Sequence, residues 1–260
     1  MRDHPVLRLI RLKSTLPLTL LVLIFTIRHD YTVIEIVLST LVCFFAVSHV
    51  SALSEIIDIK VDKRKLEVFD HYKLSPNPLA TGEMSERTAR HISLSLLIVS
   101  LILILVLSFT LNDINVLFLL LISYFLIIVY ITLNRGVIGN ICQSLAVFVC
   151  LLVLFKYKYI EVCMLLALYT FVHNVNNQIQ DYVVEKEFYR TFPVEIGVNE
   201  TRIVSILLSV IGLFCSLMYA KPFSLLFINL IPLFIIENEK IVDRVRAINY
   251  LIIVIIFLVF

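Results

Sequence analysis

The sequence predicts an all-α integral membrane protein. Of its 260 residues, 60% are hydrophobic and 16% are charged, and the mean hydropathy is +0.98, well outside the range of ordinary soluble domains. Only 5 glycines and 7 prolines interrupt the chain, which favours long helices. The net charge of +2 is too small to indicate a nucleic-acid partner.

Nine apolar segments follow one another along the chain, most of them close to the ~20 residues that a helix needs to cross a bilayer. We therefore predict one polytopic domain over residues 1–260, with nine transmembrane helices around a central cavity. The first, eighth and ninth segments are short, so their boundaries are soft. The segments span residues 16–27, 32–53, 91–111, 114–133, 137–155, 160–176, 203–220, 223–236 and 248–260.

The charges of the loops predict the orientation. With the N-terminus in the cytoplasm, 18 of the 22 Lys and Arg residues lie on the cytoplasmic side and 4 on the other, in agreement with the positive-inside rule. Both long connections, residues 54–90 and 177–202, are then cytoplasmic. Long connections inside a compact domain are usually functional.

Each long connection begins with acidic side chains at the end of an apolar segment. The first contains Glu55, Asp58 and Asp62, and the second contains Asp181 and Glu185. If the helices continue into the connections, about 100° of rotation per residue places each set on one helix face. Carboxylates at the end of a membrane helix are costly and are functional candidates. The repeated arrangement indicates two weakly related halves, each with one acid motif.

Two such motifs have the chemistry to hold divalent cations. Mg²⁺ prefers one or two carboxylates together with phosphate oxygens, and Mg²⁺ on a diphosphate makes it a better leaving group. Basic side chains on the same side of the membrane would complete a diphosphate site, and the apolar bundle would house an isoprenoid tail and exclude water. The basic candidates are Lys63, Arg135, Lys186 and Arg190.

The order of the motifs carries a resemblance to a known family. Residues 54–62 read Ser-Glu-Ile-Ile-Asp-Ile-Lys-Val-Asp, and Asn77-Pro78-Leu79-Ala80-Thr81-Gly82 follows after a short loop. This order is similar to Asn-Asp-x-x-Asp-x-x-x-Asp and then Arg-Pro-Leu-x-x-Gly in the UbiA-type superfamily of intramembrane prenyltransferases. The opening Leu9-Ile10-Arg11 also resembles the family's Leu-x-Arg-Pro.

The second half carries the same resemblance. Residues 178–185 read Gln-Ile-Gln-Asp-Tyr-Val-Val-Glu, which is similar to the family's Asp-x-x-Asp-x-x-x-Asp. Residues 190–197, with Arg190, Thr191 and Pro193, resemble its basic-Thr-Leu-Pro-Val pattern and Gly. Tyr130 leading to Arg135 resembles its Tyr-x-x-x-Lys-Arg. The resemblance therefore covers essentially the whole chain.

The resemblance implies transfer of a polyprenyl group from an isoprenyl diphosphate, with Mg²⁺ as cofactor. The acceptor would be an aromatic quinone precursor or a lipid such as geranylgeranylglyceryl phosphate. We expect Asp58, Asp62 and Asp181 to be catalytic. The expected metal ligands are Glu55, Asp58, Asp62, Asp181 and Glu185, and the expected diphosphate-binding residues are Ser54, Lys63, Tyr130, Arg135, Asn177 and Arg190.

The chain also departs from the family pattern. Gln178 would contact a metal only through a neutral carbonyl oxygen, so we expect the second metal site to be weaker. A non-catalytic or chemistry-altered relative, terpene cyclase-like or a scaffold, is one alternative. A transporter is another, but it would need Gly or Pro at mid-membrane, whereas here these residues mostly lie near segment ends. The sequence predicts no oligomeric state. The departures are at Ser54, Glu55, Asn77, Asn134, Gln178 and Glu185.

Overall fold

A computed structural model describes residues 4–69, 72, 76–132, 135–230, 252 and 255. Within these residues the chain forms twelve α-helices and no β-strand, which confirms the all-α prediction. The helices are α1 (Pro5–Leu9), α2 (Leu12–Arg28), α3 (Val33–Ile57), α4 (Ile59–Val68), α5 (Glu86–Leu111), α6 (Ile114–Thr132), α7 (Val137–Leu154), α8 (Ile160–Gln180), α9 (Tyr182–Glu185), α10 (Phe192–Ile196), α11 (Val198–Tyr219) and α12 (Ser224–Leu230).

Among the described residues, five helices are long and apolar enough to cross a membrane: α3, α5, α6, α7 and α11. Helices α2 and α8 coincide with two further predicted spans. Helix α12 covers the first part of the eighth predicted span, and the rest of that span and nearly all of the ninth lie outside the described residues. The multi-pass architecture is thus confirmed, and the count of nine stays a prediction.

The outer surfaces of these helices suit a lipid environment. Large apolar side chains such as Phe109, Phe125 and Phe214 are exposed. In water, extended apolar surfaces of this kind promote association, whereas in a bilayer they contact lipid chains that are equally apolar. The exposed apolar residues therefore agree with the predicted membrane location.

Local signals at the helix ends explain where the spans begin. Thr32 and Glu35 form a capping box at the start of α3, with Glu35 N–H donating to Thr32 Oγ1 at 3.3 Å and Thr32 N–H donating to Glu35 Oε2 at 2.7 Å. Ser85 caps α5 by accepting from the Thr88 N–H at 3.1 Å. These bonds satisfy backbone donors that the first turn of a helix leaves without intrahelical partners.

The chain divides into two compact units, Met1–Leu121 and Ile122–Phe260, and each unit contains one acid motif. In the first unit α3 packs against both α2 and α5, and α1 contacts α2 and α3. A small core of Leu9, Ala52, Leu79 and Ala89 joins α1, α3, α5 and the segment before α5. Arg8 adds an ion pair with Glu83. This packing fixes the segment that carries Asn77.

In the second unit α8 packs against α7 and α11, and α12 packs against α11 and α8. Gly212 on α11 permits the close approach of α12, because a Cβ atom there would lie 2.2 Å from the ring of Phe227. Ser123 on α6 donates to the carbonyl of Ala146 on α7 at 2.8 Å. These contacts position the end of α8, where the second motif lies.

The central acid of each motif interrupts a helix in the same way. Asp58 separates α3 from α4 with φ −83° and ψ 3°, and Asp181 separates α8 from α9 with φ −86° and ψ 2°. Both lie in the sparsely populated bridge region. The helices are therefore interrupted within the motifs at these two residues, and the matching breaks support two related halves.

Candidate active site

The first motif is built around a buried carboxylate. Glu55 lies in the last turn of α3 and forms an ion pair with Arg11, which stands between α1 and α2. The Glu55 carboxylate raises the pKa of the Arg11 guanidinium above its ordinary value, and Tyr72 and Asp62 add to the effect. The second oxygen of Glu55, Oε2, is buried and accepts no hydrogen bond from the residues that the structure describes.

The other two acids of this motif are also buried and hydrogen-bonded. Ser54 Oγ donates to Asp58 Oδ2 at 3.1 Å. Asp62 accepts from the Tyr72 hydroxyl at 2.5 Å and from the Asn77 amide at 2.7 Å. Burial raises the pKa of Asp62 and the Asp58 charge raises it further, whereas the bonds from Tyr72 and Asn77 oppose the shift. The side chains around Asp62 thus hold a carboxylate in a place that penalises its charge.

Asn77 links three parts of the first unit. Its side-chain nitrogen donates to the backbone oxygen of Glu55 at 2.8 Å as well as to Asp62, and its side-chain oxygen accepts from the Leu79 N–H at 2.9 Å. The family pattern has Arg at this position. In this chain a neutral amide at that position contacts Asp62.

The basic residues near Asp62 are only partly those expected. Lys63 is exposed, whereas Lys65 is buried and its ammonium lies 5.9 Å from the ring centroid of Tyr72. Lys65 also acts electrostatically on Asp62. Because residues three apart share a helix face and adjacent residues do not, the spacing already favoured Lys65 over Lys63.

In the second motif Gln178 is buried and fully engaged by protein atoms. Its Oε1 accepts from the Phe192 N–H at 3.0 Å and from Asn140 Nδ2 at 3.3 Å. Its Nε2 donates to the Arg135 carbonyl at 3.1 Å and to Asn140 Oδ1 at 3.4 Å. The carbonyl oxygen that we expected to face a metal thus accepts two hydrogen bonds within the unit.

A neutral polar network extends from this amide. Asn140 donates to the backbone oxygens of Arg135 at 2.9 Å and Gly136 at 2.8 Å, and it accepts from Asn174. The side chain of Asn174 also bonds to the Tyr130 hydroxyl. The network therefore connects Tyr130, through Asn174 and Asn140, to the backbone of Arg135.

The remaining predicted residues of the second motif differ in exposure. Glu185 is buried, Asp181 is half-buried and Arg190 is exposed. Arg135 pairs with Thr191 through an isolated parallel bridge, and its guanidinium carbon lies 4.3 Å from the ring centroid of Tyr189. The side-chain oxygen of Asn177 is buried and accepts no hydrogen bond within the described part of the chain.

The donor set fits a hard divalent cation. No group of three or more His, Cys, Asp and Glu side chains poised for a metal occurs among the described residues. Each motif nonetheless keeps a buried oxygen with no hydrogen-bond donor in that part of the chain, Oε2 of Glu55 and Oδ1 of Asn177. Carboxylate and amide oxygens are what Mg²⁺ and Ca²⁺ bind. Buried acceptors of this kind require an explanation, and a cation supplies one.

Several contributors were not identified from the sequence. Tyr72 lies in a connection without helical periodicity, so nothing in the sequence connected it with Asp62. Arg11 stood out only as part of a motif, with no partner assigned. The bond between Asn140 and Asn174 was not predicted either, because the two residues are 34 positions apart and a single sequence carries no signal for such a pair.

Comparison with known families decides the identity. Residues 15–247 match the UbiA prenyltransferase family. The chain belongs to this family. It is therefore a multi-pass membrane protein of the prenyltransferase class, as the motifs predicted.

Solved UbiA structures share its fold. A UbiA homologue from Archaeoglobus fulgidus bound to GPP and Mg²⁺ superposes with a TM-score of 0.70 at 17% identity, over 98% of this chain and 99% of that one. The same homologue bound to DMAPP and Mg²⁺ gives 0.70 at 17%, over 98% of both chains. A digeranylgeranylglyceryl phosphate synthase gives 0.63 at 18%, over 98% and 96%. No curated protein gives a significant match.

Proposed function

We propose that this chain transfers a prenyl group from an isoprenyl diphosphate to an acceptor at the cytoplasmic face of the membrane. The observation that carries the proposal is the buried Oε2 of Glu55, which lies at the end of an apolar span beside Asp58 and Asp62. A carboxylate there is costly unless a cation compensates it. Arg11 compensates one oxygen, and a divalent cation carried by the substrate would compensate the other.

The acids of the two motifs would hold Mg²⁺. When bound, Mg²⁺ neutralises diphosphate charge and so makes the diphosphate a better leaving group. In the first unit the ligands would be Glu55, Asp58 and Asp62. In the second they would be Asp181 and Glu185, with Asn177 supplying a neutral oxygen. The UbiA homologue that was solved with GPP and Mg²⁺ supports this assignment.

The reaction replaces one bond at the allylic carbon with another. The bond between C1 of the prenyl group and the diphosphate oxygen breaks, and its electron pair leaves with the diphosphate. The allylic carbon then bonds to the acceptor, and the acceptor's proton passes to the released diphosphate. The apolar side chains of the spans would keep water away from the allylic carbon, and this exclusion favours transfer over hydrolysis.

Basic and polar side chains would bind the diphosphate. Arg135 is the strongest candidate because its backbone is held by Asn140 and Gln178. Tyr130 would act beside it, since both belong to one hydrogen-bonded region. Ser54 would orient Asp58 through the 3.1 Å bond. Lys63 and Arg190 are exposed, so we assign them to capture of the substrate from solution.

Two acceptor classes stay open. The digeranylgeranylglyceryl phosphate synthase with the same fold supports a lipid acceptor, and an aromatic quinone precursor is the other class. The amide contacts of Gln178 support a third outcome, an altered or absent activity, because they remove one metal-facing oxygen from the second motif. The acceptor is therefore the first property to determine.

The test is a transfer assay on the purified protein in lipid nanodiscs. Geranyl diphosphate and geranylgeranyl diphosphate are each offered with Mg²⁺ and with either geranylgeranylglyceryl phosphate or a hydroxybenzoate. We expect diphosphate release that depends on one acceptor, and much slower release from the Asp58→Asn variant at the same Mg²⁺ concentration. Release that persists unchanged in excess chelator, or no prenylated product with any pair, would contradict the proposal.

A further inference from the structure

We propose that Gln178 is a positioning residue, whose buried amide holds Arg135 in place to bind the diphosphate. The inference rests on the proposed function, because that function gives Arg135 a diphosphate to bind. It differs from the expectation drawn from the motif, in which residue 178 is a weakened metal ligand. The two roles make different demands on the side chain, and the contacts of Gln178 separate them.

The hydrogen-bonding capacity of the Gln178 amide is used within the second unit. A primary amide offers two N–H donors and a carbonyl oxygen with two lone pairs. Phe192 N–H and Asn140 Nδ2 donate to the oxygen at 3.0 and 3.3 Å, and the nitrogen donates to Arg135 O and Asn140 Oδ1 at 3.1 and 3.4 Å. A metal at Oε1 would have to displace the Phe192 N–H, the nearer donor, and leave it buried without that partner.

The same amide joins two segments that are far apart in sequence. Arg135 and Thr191 pair through a parallel bridge, and Gln178 bonds to Arg135 on one side and to Phe192, the neighbour of Thr191, on the other. The guanidinium of Arg135 also lies over the ring of Tyr189, which precedes this second segment. The position of the guanidinium therefore depends on how the two segments are held together.

An acid at position 178 would not make these contacts. A carboxylate has acceptors only, so it would face the carbonyl oxygen of Arg135 and Oδ1 of Asn140 with no proton to share. It would also add a negative charge to a buried site. An amide makes all four bonds. The replacement of the family's acid by Gln is thus what this network requires.

The first test measures the contact itself, without substrate or metal. Hydrogen exchange is followed in excess chelator for the peptide that contains the Phe192 amide, in the wild type, Gln178→Glu and Gln178→Met. Gln178→Glu keeps the shape and the acceptor, whereas Gln178→Met keeps only the approximate shape. The free energy of one hydrogen bond corresponds to a roughly tenfold change in an equilibrium constant. We therefore expect the Phe192 amide to exchange about tenfold faster in Gln178→Met. Asn199→Asp, at an exposed position, is the charge control and should not change the exchange.

The second test asks whether the contact acts through Arg135. Binding of geranyl diphosphate is measured over a range of Mg²⁺ concentrations. We expect Gln178→Glu and Gln178→Met each to weaken binding by about three- to tenfold, without lowering the Mg²⁺ concentration that gives half-maximal binding. In an Arg135→Ala background, Gln178→Met should add less than about twofold, because residues that act through one another are not additive.

The outcomes separate the two roles. A lower Mg²⁺ requirement in Gln178→Glu, together with unchanged exchange at Phe192 in Gln178→Met, would identify residue 178 as a metal ligand and overturn the proposal. Full additivity with Arg135→Ala would overturn it as well. If Gln178→Met does not fold, the isosteric Gln178→Glu alone decides, since it too loses the donation to Arg135. A wild type that binds no geranyl diphosphate would overturn the proposed function and the role given to Arg135, whereas the exchange measurement would still decide whether the amide joins the two segments.

Discussion

Asn77 donates from its side-chain amide to the carboxylate of Asp62 at 2.7 Å, although the two residues are 15 positions apart. The same side chain bonds to the backbone of Glu55 and Leu79. A single neutral residue thus orients an acid of the first motif and closes the loop that follows it. This arrangement leads to a prediction about charge.

Asn77→Asp should destabilise the protein more than Asn77→Ala. The aspartate keeps the acceptor for the Leu79 N–H but places a negative charge beside buried Asp62, whereas alanine only removes hydrogen bonds. We expect a loss of about 3–5 kcal/mol for Asp and about 1–3 kcal/mol for Ala. Denaturant unfolding in chelator measures both, with Asn199→Asp as the control for an added charge. Equal losses for the two variants would show that Asp62 does not carry its charge in the folded protein.

Arg11→Ala should destabilise the protein in chelator and respond to Mg²⁺. The change leaves the buried Glu55 carboxylate without its cation, and because Arg11 is partly exposed we expect about 1–3 kcal/mol, below the range for fully buried pairs. Mg²⁺ should recover part of this loss, since it can replace the missing charge. The double variant Arg11→Ala with Glu55→Gln should be more stable in chelator than Arg11→Ala alone. A lower stability of the double variant would contradict the pairing.

Asp58→Asn and Asp181→Asn should each raise the Mg²⁺ concentration needed for half-maximal transfer more than Gln178→Ala does. Only the first two remove a charge from the coordination of the cation. We expect a rise of at least about tenfold in the Mg²⁺ concentration needed for half-maximal activity, and less than about threefold for Gln178→Ala. Diphosphate release titrated with Mg²⁺ gives these values. Similar shifts in all three variants would indicate that residue 178 is a metal ligand.

Cysteines placed at positions 64 and 190 should lie on the same side of the membrane, with a cysteine at position 158 on the other. The loop charges predict this orientation. All three positions are exposed, so a membrane-impermeant thiol reagent can reach them in a background without the five native cysteines. Labelling of positions 64 and 190 from opposite sides would show that the order of the spans is wrong.

Gly212→Ala should loosen the contact between α11 and α12. The new methyl group would lie 2.2 Å from the ring of buried Phe227, so the ring or the helix must shift, at a cost of about 1–3 kcal/mol. The neighbouring Ile211 is exposed, and Ile211→Ala should change the stability by less than about 0.5 kcal/mol. Thermal unfolding in one detergent compares the two. A neutral Gly212→Ala would mean that α12 does not pack closely there.

The sequence predicted the class of fold well because the signal is repeated many times. Apolar segments of spanning length and the asymmetry of the loop charges depend on dozens of residues, so single exceptions do not matter. Helix ends were less well predicted. Helix α3 continues to Ile57 and α8 to Gln180, beyond the apolar segments, because polar side chains there find partners within the protein.

The sequence identified the candidate acids but not the side chains that surround them. Hydropathy and spacing identify Asp58 and Asp181, since charge at the end of a span is conspicuous. The partners of Asp62 come from a connection without periodicity, and Tyr72 and Asn77 are placed by tertiary packing. The contacts of Gln178 could not be predicted for the same reason, because one of its partners is Asn140, 38 residues away.

The backbone at Arg11 is left-handed, with φ 45°, a conformation that costs a residue with a β-carbon roughly 1–2 kcal/mol and that glycine adopts without penalty. The torsion angle and the side chain at this position therefore favour different amino acids. Leaving a buried carboxylate without its cationic partner costs more than holding Arg11 in a left-handed conformation. The electrostatic preference therefore prevails. Stability engineering guided by local conformation would choose glycine or asparagine here. Such a substitution would relieve the backbone strain but remove the cation that pairs with Glu55.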